Sequence, residues 1–336
     1  MRKIERVLVT GGAGFIGANF LHYLLKKNFS GRVVNLDALT YAAEIKNLSF
    51  IESKLDYRFV HGSIVDKSLL EKLFEEEKFD TIVHFAAESH VDNSILGPGI
   101  FIETNVQGTF QLLETSKNFW KKNHMTEVLF HHISTDEVYG SLGKHGYFTE
   151  KTPYDPSSPY SASKAASDHL VKAYHKTYQL PVTISNCSNN YGQFQNAEKL
   201  IPLIIKNAFL GKKLPVYGQG VNIRDWLYVE DHCSAIWEIL LNSKVGECYN
   251  VGGNNEWKNI DVVNLICKLL PEYTDKTKEY YESLIEFVTD RPGHDLRYAI
   301  DATKIKEELG WLPKETFETG IKKTIEFYVN RLKENK

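Results

Sequence analysis

The sequence predicts an α/β fold, a doubly wound parallel sheet with a smaller α/β domain attached. Three observations carry that prediction. Short apolar runs alternate with helical stretches through the first half of the chain, as they do when crossover helices join parallel strands. A glycine-rich turn lies between the first run and the first helical stretch. The rhythm then breaks after Cys187, where Pro202, Pro215 and the Gly218/Gly220 pair interrupt it.

Taken in order, residues 7–10 (VLVT) form the first strand, and Phe20, Leu21, Leu24 and Leu25 follow at helix spacing. Residues 32–37 (RVVNLD) and 57–60 (YRFV) read as the second and third strands. Asp66 caps a helix that runs through Leu69, Leu70, Leu73 and Phe74. Residues 81–85 (TIVHF) are the fourth strand, Val106, Phe110, Leu112 and Leu113 mark a helix, and 128–133 (VLFHHI) are the fifth strand. Ser158 as cap and Pro159 at the first position open a long helix to about Tyr178. Residues 182–185 (VTIS) are the sixth strand, and the last clear helix lies near 319–332. Right-handed crossovers wind such strands into one sheet, with the ligand crevice at their carboxyl ends. The expected division is 1–188 for the sheet domain, with a return excursion near 222–252, and 189–336 for most of the smaller domain.

Composition excludes several classes. With 336 residues, 42% hydrophobic and 25% charged, the chain can bury a large core. A net charge of −3 points to neither nucleic acid nor membrane as partner, and lysine pairs such as Lys121-Lys122 read as solvated helix ends. No apolar run approaches a membrane span. Cys187, Cys233, Cys248 and Cys267 form no CxxC pair, and the first residues lead directly into a strand. The expectation is a reducing, cytoplasmic setting with buried free thiols.

The turn TGGAGFIG (10–17) spaces Gly11, Gly14 and Gly17 three apart between strand and helix. Only glycine lets backbone approach a pyrophosphate that closely, and the helix N-terminus offers free N–H groups to it. A glycine triplet alone is a weak signal. Its position, and Asp37 closing the second strand, make it a Rossmann-type dinucleotide site. A carboxylate there accepts from a ribose diol and repels a 2′-phosphate, so NAD⁺ is expected rather than NADP⁺.

Tyr160 and Lys164 stand four apart, on one helical face. A nearby ammonium is expected to lower the tyrosine pKa, fitting it to take a proton while hydride leaves to nicotinamide. Such a pair usually means only a surface helix, but here it follows a dinucleotide turn and five strands. The segment STDEVYG (134–140) then follows the fifth strand and places Thr135, Asp136 and Glu137 at the crevice. Two acids of different pKa there could act as acid and base across one substrate bond.

These stretches, with DALTY (37–41), AAESHVD (86–92), YSASKAASDHLV (160–171), SNNYG (188–192), EKLIP (198–202), RDWLYVEDH (224–232) and DRPGHDLRYAID (290–301), resemble the extended short-chain dehydrogenase/reductases over nearly the whole chain. Within them the likeness is to the branch that dehydrates a dTDP-activated glucose, since related epimerases lack the acid pair after the threonine. The resemblance implies NAD as cofactor and a three-stage reaction. Tyr160, assisted by Lys164, takes the proton from the 4-hydroxyl held by Thr135; Glu137 takes the proton from carbon 5; Asp136 protonates the hydroxyl leaving carbon 6; hydride then returns to carbon 6. It also implies contacts to NAD from Gly11, Gly14, Phe15, Ile16, Gly17, Asp37, Leu39, Thr40, Ser63, Ile64, Ala86, Ala87, Ser89, Thr104, Tyr160, Lys164 and Asn189. The nucleotide sugar would meet Ser89, Thr135, Asn189, Lys199, Leu200, Pro215, Tyr217, Arg224, Asn259, Arg291 and His294. A planar guanidinium suits a diphosphate, though either arginine could equally serve a structural ion pair. A homodimer is implied as well.

Some positions depart from that pattern. Ser63 stands where an aspartate near the adenine is usual, Asn93 replaces an arginine, and 193–197 lacks the usual proline-containing loop. The base preference, dTDP against UDP, is therefore open. An epimerase or decarboxylase of a UDP-sugar is the enzymatic alternative, and a non-catalytic NAD-binding scaffold the other. His131 and His132 suggest no metal site, because adjacent strand residues point to opposite faces.

Overall fold

The computed structural model describes residues 1–49, 51, 53–290 and 295–334. In chain order its strands are β1 (Arg6–Thr10), β2 (Arg32–Asp37), β3 (Asp56–His61), β4 (Thr81–His84), β5 (Leu129–Thr135), β6 (Val182–Cys187), β7 (Asn189–Tyr191), β8 (Leu214–Tyr217), β9 (Ile223–Tyr228), β10 (Cys248–Val251), β11 (Glu256–Lys258) and β12 (Ile285–Val288). The main sheet has seven strands in the order β10-β6-β5-β4-β1-β2-β3. Every neighbouring pair in it is parallel. The order reverses between β1 and β4, which opens the crevice of a doubly wound sheet above their carboxyl ends. The expected α/β class is thus the one observed.

Both faces of this sheet are covered, so its central strands are buried along their length, polar residues such as His131, His132, Thr183 and Asn186 included. On one face Leu8, Val34, Ile82 and Phe130 pack with Leu112, Leu113 and Val171. On the other, Val7, Val9, Val33 and Val83 pack with Phe20, Leu21 and Leu24 of the helix Phe15–Lys26 and Ile236 of Val229–Asn242. The caps read from sequence are in place. Asp66 accepts from Leu69 N at 3.0 Å. Ser158 and Ser161 form a reciprocal capping box at the start of Pro159–Tyr178.

β10 rejoins the main sheet after β7, β8 and β9 have left it. The remaining strands form a three-stranded sheet, β11-β9-β7, and the pair β12-β8. A separate core lies beneath them, with Tyr191, Ile204, Ile205, Val262, Ile266, Phe317 and Ile321 fully buried. Two differences from the sequence reading bear on the site. β5 runs two residues further than its apolar run, through Ser134 and Thr135, because both are buried and paired with β6. The helix expected around Val106 begins as a π-helical turn, Ile102–Gly108, before the regular helix Thr109–Lys122. Such turns are frequently found at functional sites.

Candidate active site

The glycine turn is packed too tightly for side chains. A Cβ on Gly11 (φ +74°) would lie 2.6 Å from Ala86 N, and one on Gly17 would lie 2.7 Å from Gly12 Cα and overlap the Gly11 carbonyl oxygen. Phe15 and Ile16 open the following helix, so the turn and that helix's N-terminus face the crevice together. Asp37 is buried and ties this turn to the next: Oδ2 accepts from Ala13 N and Oδ1 from Leu39 N, each at 2.8 Å. Burial raises its pKa, while those two backbone bonds oppose the shift. Leu39 adopts a positive φ and is partly exposed beside Thr40. Ser63 caps its own turn by accepting from Val65 N at 3.2 Å, and Ile64 is buried against Gly108. Ala86 and Ala87 follow β4, with Ala86 N donating to Thr10 Oγ1 at 3.3 Å. Thr104 lies in the π-helical turn. A close backbone cradle, a helix N-terminus and a carboxylate at the end of β2 fit an adenine dinucleotide without a 2′-phosphate.

β5 and the helix Pro159–Tyr178 bring the second group together. Thr135 is the last residue of β5, and Asp136 and Glu137 open the short 3₁₀ turn Asp136–Tyr139. Thr135 Oγ1 donates to Asp136 Oδ1 at 3.3 Å and accepts from Glu137 N at 3.3 Å. The Tyr160 phenol shares a hydrogen bond with Thr135. Asp136 is 1% exposed, and its Oδ2 has no hydrogen-bond partner. Burial first, then Glu137 and Asp225, holds its pKa well above the usual carboxylate range, although Arg224 pulls the other way. Asp136 is therefore disposed to act as an acid. Glu137 beside it is half-buried.

Lys164 is buried, donating to Ile133 O at 2.8 Å with His132 Nε2 at 3.4 Å. The expected lowering of the Tyr160 pKa does not hold in this arrangement. Burial first, then Glu137 and the Cys187 thiol, pushes the phenol well above its ordinary value, and the Thr135 hydrogen bond only partly offsets them. The Lys164 ammonium is spent on Ile133 and His132, and its own pKa is lowered by burial.

The remaining expected positions fall on several separate elements. Lys199 Nζ donates to Ser89 O at 3.5 Å, joining the loop after β4 to the start of the helix that begins at Leu200. Asn189 opens β7, and its Oδ1 is buried without a partner. Pro215 and Tyr217 sit on β8, with Tyr217 exposed. Arg224 on β9 is buried. Its guanidinium donates to Ile223 O at 2.7 Å and Asp295 O at 2.9 Å and lies 4.4 Å from the Tyr298 ring centre. Asn259 begins the helix Asn259–Leu269. Arg291 and His294 lie outside the described residues. His131 and His132 face opposite sides, His131 toward Thr183 and Ser185, His132 toward Lys164.

Sequence reasoning missed Asn105, His132 and Asp168. Asn105 accepts from Glu88 N at 2.8 Å and donates to Ser163 Oγ at 2.8 Å, locking the π-helical turn to the catalytic-pair helix. Asp168 could have been found, since it continues the Tyr160, Lys164 face by one further turn.

Comparison with known proteins decides the family. The family model described as GDP-mannose 4,6 dehydratase matches residues 8–324. The chain belongs to this family. Among its curated relatives is a probable dTDP-glucose 4,6-dehydratase of Sinorhizobium fredii, 56% identical over 327 residues, covering 96% of this chain and 93% of that protein. Two solved family structures superpose closely. One is a dTDP-glucose 4,6-dehydratase from Bacillus anthracis in complex with NAD (50% identity, 98% of each chain, TM-score 0.87). The other is DesIV, a dTDP-glucose 4,6-dehydratase from Streptomyces venezuelae with NAD and TYD bound (44% identity, 97% of each chain, TM-score 0.89). The likeness to extended short-chain dehydrogenase/reductases read from the motifs is thereby borne out.

Proposed function

We propose that this protein is an NAD-dependent hydro-lyase that converts dTDP-glucose to dTDP-4-keto-6-deoxyglucose. The observation that carries the reading is Asp136: a buried carboxyl at the end of β5 whose pKa burial raises, next to Glu137 and in one hydrogen-bonded group with Thr135 and Tyr160. An epimerase or a redox enzyme has no use for such an acid, whereas loss of hydroxide from carbon 6 requires one.

In this reading Thr135 and Tyr160 hold the 4-hydroxyl, and Tyr160 receives its proton. Bound NAD⁺ supplies the hydride acceptor for carbon 4, the donor that later restores carbon 6, and a positive charge that favours the phenolate. Once carbon 4 is a ketone the carbon 5 proton is acidic, and Glu137, the less buried acid, removes it. Asp136 protonates the oxygen leaving carbon 6, and water departs. Proton return to carbon 5 completes the net loss of water. Gly11, Gly14, Phe15, Ile16, Gly17, Asp37, Leu39, Thr40, Ser63, Ile64, Ala86, Ala87, Thr104 and Lys164 would hold the cofactor, with Ser89 and Asn189 shared between both ligands. Lys199, Leu200, Pro215, Tyr217, Arg224 and Asn259 would hold the nucleotide sugar. A cytoplasmic homodimer is the proposed setting, and no helix among the described residues is long and apolar enough to cross a membrane.

The test is incubation of purified protein with dTDP-glucose and a panel of UDP-sugars, with chromatographic detection of a 4-keto-6-deoxy product. Turnover of dTDP-glucose is expected. Turnover of UDP-sugars alone would replace the substrate, and cofactor binding without turnover of any sugar would favour a scaffold.

A further inference from the structure

Behind the Tyr160–Lys164 pair lies a fully buried cluster for which the reaction above has no use. Asp168 and His132 are both 0% exposed. Asp168 Oδ2 accepts from Ser134 Oγ at 2.8 Å, Tyr154 OH at 2.9 Å and Asn186 Nδ2 at 3.5 Å. Its other oxygen, Oδ1, makes no hydrogen bond of good geometry and faces His132 Nε2 at 3.2 Å. The same Nε2 lies 3.4 Å from Lys164 Nζ. A neutral imidazole thus stands between a buried ammonium and a buried carboxylate, all on elements that end at the crevice.

A carboxylate is expensive to bury without a compensating charge. Three neutral donors satisfy one oxygen and leave the other against His132 Nε2, the atom that also neighbours Lys164 Nζ. We propose that Asp168, acting through His132, is a positioning residue for Lys164: its fixed negative charge keeps the ammonium cationic and anchored against the end of β5, in register with Tyr160. The inference rests on the proposed role of the Tyr160–Lys164 pair.

The groups around the cluster favour this assignment. β4 contributes His84, whose ring lies 5.2 Å from His132. β6 contributes the buried Cys187, β10 contributes Cys248, and Tyr139 and Tyr154 come from the segment after β5. Lys172, one turn beyond Asp168, donates to Tyr154 OH at 3.0 Å. Asp136 and Glu137 act on Tyr160 from the other side. Burial pushes His84 down, His132 down to about 4 and the Cys187 thiol up to about 12, in each case away from the charged form. Asp168 is then the carboxylate that bears on Lys164, raising a pKa that burial lowers.

The experiment titrates Lys164 in the holoenzyme by NMR of [ε-¹³C]lysine, the resonance being assigned with Lys164→Met. It needs no substrate, so an error in the substrate class leaves it interpretable. In Asp168→Asn the midpoint is expected to fall by roughly 1–3 pH units, and the alkaline limb of kcat should move with it while KM stays. Tyr154→Phe removes a hydrogen bond and no charge, and should leave the midpoint in place. An Asp168→Asn midpoint that coincides with the parent's, in protein that keeps its circular dichroism and cofactor, overturns the proposal. Should Asp168→Asn not fold, the parent decides alone: a Lys164 that loses its proton below neutral pH is not being held cationic.

Discussion

Replacing Asp136 with asparagine should make the protein more stable and far less active, and the stability gain should depend on pH in a defined way. The carboxyl is 1% exposed, one oxygen has no partner, and the other has only a 3.3 Å bond from Thr135. Burial and the nearby Glu137 and Asp225 keep its proton on. A native pKa above the unfolded value means the native state binds more protons than the unfolded state as pH rises. Stability is then undiminished below the unfolded pKa, near 4, and falls as pH rises toward the folded pKa. Each unit of difference costs about 1.4 kcal/mol. An asparagine of the same shape cannot ionise and escapes that cost.

The gain at neutral pH is expected as a Tm above the parent's, each kcal/mol being worth roughly 2–4 °C in a large domain. It should shrink to nothing near pH 4. Loss of the general acid should lower kcat by roughly 10²–10⁴-fold, with carbon 4 oxidation intact, so reduced cofactor should accumulate in a single turnover. Melting curves across pH and stopped-flow absorbance of the reduced nicotinamide measure both effects. A stability difference that is flat with pH, or an unchanged rate of water loss, would refute the claim that Asp136 is a stored acid.

Tyr160→Phe should abolish cofactor reduction on mixing with dTDP-glucose, while Glu137→Gln should reduce cofactor normally and stall at elimination; equal loss of the first step in both would remove their separate roles. Gly17→Ala drives a methyl into the Gly11 carbonyl and should cost roughly 1–3 kcal/mol, together with cofactor retained through purification, measured by melting and by nucleotide released on denaturation. Asp37→Asn can accept with only one oxygen where two backbone N–H groups now donate. It should weaken NAD⁺ binding by about 1.5–3 kcal/mol, tenfold or more in Kd, and narrow the preference over NADP⁺, as calorimetry would show.

The parts of this site that are legible in sequence are those whose chemistry is local. A glycine turn between strand and helix, a carboxylate ending β2 and a tyrosine–lysine pair on one helical face each need only their own neighbours. The capping box at Ser158 was half visible for the same reason, although Ser161 takes the place of the usual acidic partner. What was not legible depends on docking. His132 becomes a neighbour of Lys164 only once β5 packs under the helix, and Arg224 is held by carbonyls of Asp295 and Leu296 some seventy residues away. The π-helical turn is set by Asn105 reaching Glu88 and Ser163, neither of which helix periodicity can see. The Tyr160 pKa was misjudged because spacing reports that a lysine is near, not what its ammonium already binds.

The same logic explains why the site is costly to keep. Among the buried polar atoms without partners in the described structure are Asp136 Oδ2, Asn189 Oδ1, Asp168 Oδ1 and His132 Nδ1, with others at Ser188, Gln195, Trp226, His232 and Ser243. In a core selected only for stability each would be paired or replaced by an apolar group, since an unsatisfied buried polar atom costs about 1–3 kcal/mol. The apolar clusters packed on the two faces of the sheet could supply that energy many times over. Two of them, Asp136 Oδ2 and Asn189 Oδ1, belong to residues proposed to meet the ligands, and Asp168 Oδ1 faces His132 Nε2 beside Lys164. The unmet acceptor on Asp136 is thus a cost in stability borne at the end of β5, where the proposed elimination needs an acid.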